Sequence, residues 1–266
     1  LEGTLEPLAG ERDRNFLLQT VAGERYVVKV TSPQEPDAQL AFETRVLAWL
    51  AAGGGSPTPP VLPSLRGELV VRHGGDGCTW RVRVLRHIPG RVYAEVRPHP
   101  PALLTELGGR TAESTLRLAR FPDAVPTRSG FVWALEEAGS VMEAALDLHQ
   151  GERRALVAGC LAAYREVEPA FRSLPVQLVH GDLNDHNVLV SEDGHVVGFL
   201  DLGDAHPAPA VFDLAVAVAY ALLGQADPVL AAAHMVAGYH AVRPLSEAEI
   251  ALILPLARAR LGASVS

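Results

Sequence analysis

Residues 178–190 read LVHGDLNDHNVLV, a run in which Asp182, Asn184, Asp185, His186 and Asn187 interrupt an apolar stretch. A Gly-Asp pair in a tight turn leading into a solvated loop would explain such a run without any chemistry. The residues downstream argue otherwise. The segments VLV, SEDG and HVVGFLD predict two short strands around a four-residue turn that ends in Gly194. Asn187 directly precedes the first strand and Asp201 ends the second, so the hairpin returns an amide oxygen and a carboxylate to one end. Hard oxygen donors of this kind suit Mg²⁺, which keeps positions for water and phosphate oxygens. Asp182 lies five residues before Asn187, where the loop could hold its carboxylate beside that pair. Asp185 and Asp204 add carboxylates that could pair with a cationic amine, although Asp204 could equally be a second metal ligand or a solvated loop residue. His180 suits bracing the loop through backbone hydrogen bonds better than acting as a base. Asp213, at a helix start, suits accepting hydrogen bonds from the same loop.

These side chains need a frame, and the pattern of the chain supplies one in two parts. Up to about residue 85 it is strand-like: NFLLQT and RYVVKV flank a turn at Gly23, and VLP, GELVVR and CTWRVRVL come next between Gly-rich turns. Between them, residues 36–52 show helical spacing, with Leu40, Glu43 and Leu47 on one face and Pro36 at an early position. Lys29 sits near the end of the second strand and is the only Lys among 23 basic residues, the rest being Arg. In so Arg-biased a chain, a retained Lys points to a role that a planar guanidinium cannot fill. Beyond the Pro89-Gly90 turn, helices dominate: 101–119, 141–148, 152–171 and three more after the hairpin, the last with a capping-box signature at Ser246 and Glu249. Trp133 is expected to anchor a helix to the core.

Composition bounds the function. The chain has 266 residues, 48% of them hydrophobic, and a net charge of −8 without a long run of one sign. That gives a phosphate-backbone partner no electrostatic support, so nucleic acid is not an expected partner. The apolar runs are too short to span a bilayer and no leader pattern opens the chain, so no membrane role is expected. Two distant Cys residues, Cys78 and Cys160, fit a reducing cytoplasm.

Four features occur in order: Lys29 on a strand, Glu43 on the next helix, His180-Gly181-Asp182 with Asn187 after four intervening residues, and Asp201-Leu202-Gly203. With HGDLNDHNVLV, FLDLGDA, VRVLRHIPGR and VAGYHAVRPLSEAE, the chain resembles the aminoglycoside phosphotransferase and choline kinase family of small-molecule kinases. Within it the chain looks most like the hydroxylysine kinase group and kinase modules fused to class III aminotransferase-like phospho-lyases. The likeness is most specific from 178 to 213 and implies an α+β, two-lobed protein-kinase-like fold. A sheet-rich N-lobe would cover 1–86 and a mainly helical C-lobe 87–266. It implies that Asp182 orients the acceptor hydroxyl and takes its proton, that Asn187 and Asp201 hold Mg²⁺, and that Lys29, held by Glu43, contacts the phosphates of ATP or GTP. The segment 85–88, with Leu85 and His87, would be the hinge that bonds the purine. In LAGERDRNF, Gly10 is the only glycine where a Gly-rich loop would stand, so the amides of 10–15 with Arg12 or Arg14 would approach phosphate. The expected activity is O-phosphorylation of a small hydroxyl metabolite bearing an amine, hydroxylysine-like or an amino alcohol. The alternatives are an aminoglycoside O-phosphotransferase and an inactive kinase-fold binding module. The start at Leu1 and the end within a helical region suggest a piece of a longer chain with a further C-terminal domain.

Overall fold

The structure, a computed structural model, describes all residues except 9, 11, 12, 54–56, 76, 77 and 127–130. The chain forms two compact units, Leu1–Pro89 and Gly90–Ser266. The first holds β1 (Gly3–Leu8), β2 (Arg14–Thr20), β3 (Arg25–Thr31), α1 (Asp37–Ala52), β4 (Val61–Leu62), β5 (Val71–Gly75) and β6 (Cys78–Arg86). Its six strands make one antiparallel sheet in the order β1-β2-β3-β6-β4, with β5 also pairing with β6. Gly23, at φ +82°, closes the β2–β3 turn in the left-handed region that glycine enters without a Cβ penalty. The register of that hairpin places Lys29 opposite Asn15 on β2 and opposite Arg83 on β6. On α1 the predicted face is the buried one, since Leu40, Glu43 and Leu47 are all inside, together with Phe42, Val46 and Leu50.

The second unit holds β7 (Arg91–Val92), α2 (Pro101–Leu118), α3 (Ala138–Ala145), α4 (Gly151–Arg172), β8 (Val176–Val179), β9 (Val188–Val190), β10 (Val196–Phe199), β11 (His206–Pro209), α5 (Val211–Ala221), α6 (Pro228–Val242) and α7 (Glu247–Ser264). The predicted hairpin forms as β9 and β10, joined on its other side by β7, while β8 pairs with β11. Ser246 and Glu249 close a complete capping box on α7, an arrangement that satisfies two backbone N–H groups a helix start would otherwise leave unpaired.

The core of this unit is built around α5. All but one of its residues are buried, because VFDLAVAVAYA is, apart from Asp213, apolar all round. Phe171 of α4 meets Phe212 edge-on with ring centroids 5.3 Å apart, and each such fully buried side chain contributes roughly 1.5–3 kcal/mol. Helices α2 and α6 touch backbone to backbone. A Cβ on Gly108 would lie 1.9 Å from the Met235 carbonyl oxygen, and one on Gly238 1.9 Å from that of Thr105, so neither position admits a side chain. Trp133 differs from expectation: it is 40% exposed, and its ring lies against the Arg260 guanidinium instead of anchoring a helix. Among the described residues no helix is long and apolar enough to cross a membrane.

Candidate active site

The loop between β8 and β9 is fixed from below. At Gly181 the backbone takes φ +81°, and a Cβ there would sit 2.6 Å from the Asp204 carbonyl oxygen and 2.8 Å from the His206 ring, so this turn requires glycine. Asp213, in the first turn of α5 and fully buried, accepts the N–H groups of His180 at 3.1 Å and Gly181 at 2.9 Å. Burial pushes the Asp213 carboxyl above the usual range, opposed by the neighbouring His180 and by those two N–H groups. His180 is buried and its Nδ1 accepts the Asp182 N–H at 3.4 Å, the bracing role expected of it. Asn184 wraps the loop, its Oδ1 accepting the N–H groups of His186 at 2.8 Å and Asn187 at 3.1 Å.

At the centre stands Asp182. Its Oδ2 accepts hydrogen bonds from the side-chain amides of Asn184 and Asn187, each at 2.9 Å, and its Oδ1 accepts one from Arg260 Nη2 at 2.6 Å. Burial raises the pKa of this carboxyl, and the Arg260 charge opposes that rise without cancelling it. Asn187 spends its amide nitrogen on Asp182, on both the backbone oxygen at 2.9 Å and Oδ2, so of its side chain it is Oδ1 that could face a cation. Its carbonyl accepts the Leu200 N–H at 2.8 Å, so the two strands run together up to the residue before Asp201. Asp201 is exposed, with backbone at φ 60° and ψ 85°, and its Oδ1 accepts the Gly203 N–H at 3.1 Å. Two such oxygen donors fit Mg²⁺, which retains much of its water. Among the described residues no group of three or more His, Cys, Asp or Glu side chains gathers as a metal cluster.

The two carboxylates assigned to an amine differ in setting. Asp185 is half-buried and its carbonyl accepts the Ala94 N–H at 2.9 Å. Asp204 is buried, which removes the solvated-loop reading. Its carbonyl oxygen lies 2.7 Å from His206 Nδ1, which must donate, and His206 Nε2 pairs with Glu136 at 3.4 Å. Burial alone would lower the His206 pKa, but Glu136 and the Asp204 carbonyl raise it overall. A raised folded-state pKa gives stability that is complete below the unfolded value of about 6.5 and is lost as pH rises through the folded value. Glu136→Gln is therefore expected to lower the His206 pKa in an NMR titration and to flatten the pH dependence of Tm above pH 6.5; an unchanged titration would show that Glu136 does not set it.

In the first unit the pairing of Glu43 is a correction. Its carboxylate meets Arg83 Nη1 at 3.0 Å, while Lys29 Nζ lies 3.9 Å from Asp13 Oδ2, which also faces Arg83 at 3.7 Å. The reason is register: Arg83 is the cross-strand neighbour of Lys29 and is buried, so it takes the buried acid of α1. Asp13 also accepts the Ser32 N–H at 3.2 Å and the Thr31 hydroxyl at 3.4 Å, which ties the segment after Gly10 to the end of β3. A Cβ on Gly10 would lie 2.5 Å from both the Asp13 carbonyl oxygen and Asn15 Nδ2, so a side chain there would force a shift. Arg14 places its guanidinium 5.5 Å from the Trp80 ring centre, and Arg12 lies outside the described residues. Leu85 is a buried strand residue opposite Val27 and Val61. The amides of Arg86 and His87 donate to Pro60 and Arg25, at 3.0 and 3.2 Å, so those two N–H groups are already spent and cannot serve a purine as expected.

Two residues of these clusters are not picked out by the sequence motifs. Asp13 carries no signal beyond its place in a polar loop. Arg260 does: the buried stripe Ile253, Leu256, Ala257, Arg260 on α7 puts one cation where an apolar residue belongs.

Known proteins share the fold and part of the sequence. Hydroxylysine kinase of Danio rerio is 28% identical over 260 residues, spanning 92% of this chain and 72% of that protein. Homoserine kinase of Azorhizobium caulinodans is 29% identical over 257 residues, spanning 94% and 74%. The solved structure of an amicoumacin kinase in complex with AMP-PNP and Ca²⁺ shares the fold, with a TM-score of 0.76 at 17% identity over 99% of this chain and 80% of that one. The family model of the phosphotransferase enzymes matches residues 4–245, nearly the whole chain and all of the loop and hairpin just described. This chain belongs to the phosphotransferase enzyme family.

Proposed function

We propose that the chain transfers the γ-phosphoryl group of ATP or GTP, with Mg²⁺, to the hydroxyl of a small metabolite that also carries an amine, either hydroxylysine-like or an amino alcohol. The observation that carries this reading is Asp182, a half-buried carboxylate held by Asn184, Asn187 and Arg260 in the loop that precedes the hairpin. In this reading Asp182 orients the acceptor hydroxyl and takes its proton as the oxygen bonds to phosphorus and the β–γ bridging bond breaks. Asn187 Oδ1 and Asp201 would hold the cation, which neutralises charge on the phosphate oxygens. Lys29 would contact the nucleotide phosphates, oriented by Asp13, while Glu43 acts at one remove by holding Arg83. The backbone after Gly10 would cover the phosphates; Arg14 would reach them only by leaving Trp80. Leu85 would offer apolar contact to the purine and the stretch at His87 and Ile88 its remaining polar groups. Asp185 and Asp204 would face the amine.

Support comes from the relatives, whose names specify hydroxylated amino acids as acceptors, and from the nucleotide analogue and divalent cation in the amicoumacin kinase structure. The test is nucleotide turnover by the purified chain with Mg²⁺ against hydroxylysine, homoserine, amino alcohols and aminoglycosides. Acceptor-dependent turnover on at least one of the first three groups is expected. Turnover on aminoglycosides alone would replace the acceptor class, and nucleotide binding without turnover on any acceptor would leave a binding module.

A further inference from the structure

Arg260 is 4% exposed, yet its charge lies at the most reactive group of the site. Its Nη2 donates to Asp182 Oδ1 at 2.6 Å, its Nη1 to the Trp133 carbonyl at 2.9 Å and its Nε to the Tyr220 hydroxyl at 3.2 Å. The rings of Trp133 and Tyr220 lie 5.4 and 5.7 Å from the guanidinium carbon and hold it by cation–π contact. A guanidinium carries five N–H donors. Three are used, so one on each terminal nitrogen lacks an acceptor among the described residues.

Two features of this arrangement work against a chain that serves only cationic acceptors. The guanidinium occupies Asp182 Oδ1, an oxygen the acceptor hydroxyl would need. Its charge also repels an acceptor whose only ionic group is an ammonium. Both costs fall if the acceptor brings an anion. A carboxylate is planar, matches the donor fork of Arg and would take the two unused N–H groups. Drawing the guanidinium toward itself, it would also loosen the bond to Oδ1 and leave that oxygen to the hydroxyl.

We infer that Arg260 reads a carboxylate on the acceptor, so that the acceptor class is the hydroxy amino acids and not the plain amino alcohols. This rests on the reading of Asp182 as the group that receives the hydroxyl proton.

The experiment compares matched acceptors that differ only in the carboxylate: homoserine against 3-aminopropan-1-ol, and 5-hydroxylysine against 1,5-diaminopentan-2-ol. Steady-state kcat and KM are measured for the unaltered chain, Arg260→Lys, Arg260→Gln and Tyr220→Phe, the last keeping the ring and removing only the acceptor of Nε. The unaltered chain is expected to favour the carboxylate-bearing member in kcat/KM by about 100-fold. Arg260→Gln should erase that preference through KM, Arg260→Lys should keep part of it, and Tyr220→Phe should reduce it several-fold. If both members of a pair lose kcat equally with the preference intact, Arg260 only positions Asp182 and the inference is overturned. A preference of the unaltered chain for the carboxylate-free member overturns it as well, whether or not the variants fold, while leaving phosphotransfer to hydroxyl groups in place. Turnover of neither member would remove the phosphotransfer reading itself, and this inference with it.

Discussion

Asp182→Asn is expected to lower kcat roughly a thousandfold, within the ~10²–10⁴ range that a positioned acid or base contributes. The amide is nearly isosteric, so the nucleotide KM should change little. An amide oxygen can still accept from Arg260, but it cannot take a proton, and the new NH₂ group must face the two amide donors that now bond Oδ2. The unaltered chain should show a matching acid limb in kcat/KM. Because burial raises the Asp182 pKa against the pull of Arg260, that limb should lie above the ordinary carboxylate range, with activity falling as pH drops through it. Arg260→Gln removes the opposing charge and should move the limb further up. Turnover in Asp182→Asn within a few-fold of the unaltered chain would remove Asp182 from the reaction.

The second large effect is expected on folding. Asp213→Ala leaves the buried N–H groups of His180 and Gly181 without an acceptor. At about 1–3 kcal/mol for each orphaned donor, the loss should be roughly 2–6 kcal/mol. For a chain of this length that corresponds to a Tm lower by roughly 5–15 °C in calorimetry. Asp213→Asn offers one acceptor oxygen instead of two and should fall between. Activity should drop with stability, since the same bonds aim the residue after Gly181. A Tm within 2 °C of the unaltered chain would mean that water replaces the carboxylate.

Whether a feature is legible in the sequence depends on how far along the chain its interactions reach. The β9–β10 hairpin, the turn at Gly181, the α7 cap and the buried face of α1 are written in neighbouring residues and can be read there. Asp213 is legible too, because its acceptor role needs only a helix start next to a loop. The partner of Glu43 is not, since strand order decides it: β6 lies beside β3, and that adjacency delivers Arg83 to a place where the motif suggests Lys29. The Arg260–Asp182 pair spans 78 positions, and only packing of α7 against the loop-bearing core brings it about. Trp133 misleads because a large aromatic ring can serve as a platform for a cation as readily as a wedge in a core.

Asp201 carries a consequence for how this chain can change. It is the only described non-glycine residue with positive φ, a conformation that costs an ordinary residue roughly 1–2 kcal/mol. The bond from the Gly203 N–H offsets part of that. A glycine at 201 would relax the backbone and, by this reckoning, make a sturdier protein without its second oxygen donor. Selection for heat resistance alone would thus push position 201 away from aspartate, and a survey of stabilised variants would find its gains where the chemistry is lost. Under the proposed function, the backbone cost at this position is offset only by what the carboxylate would hold.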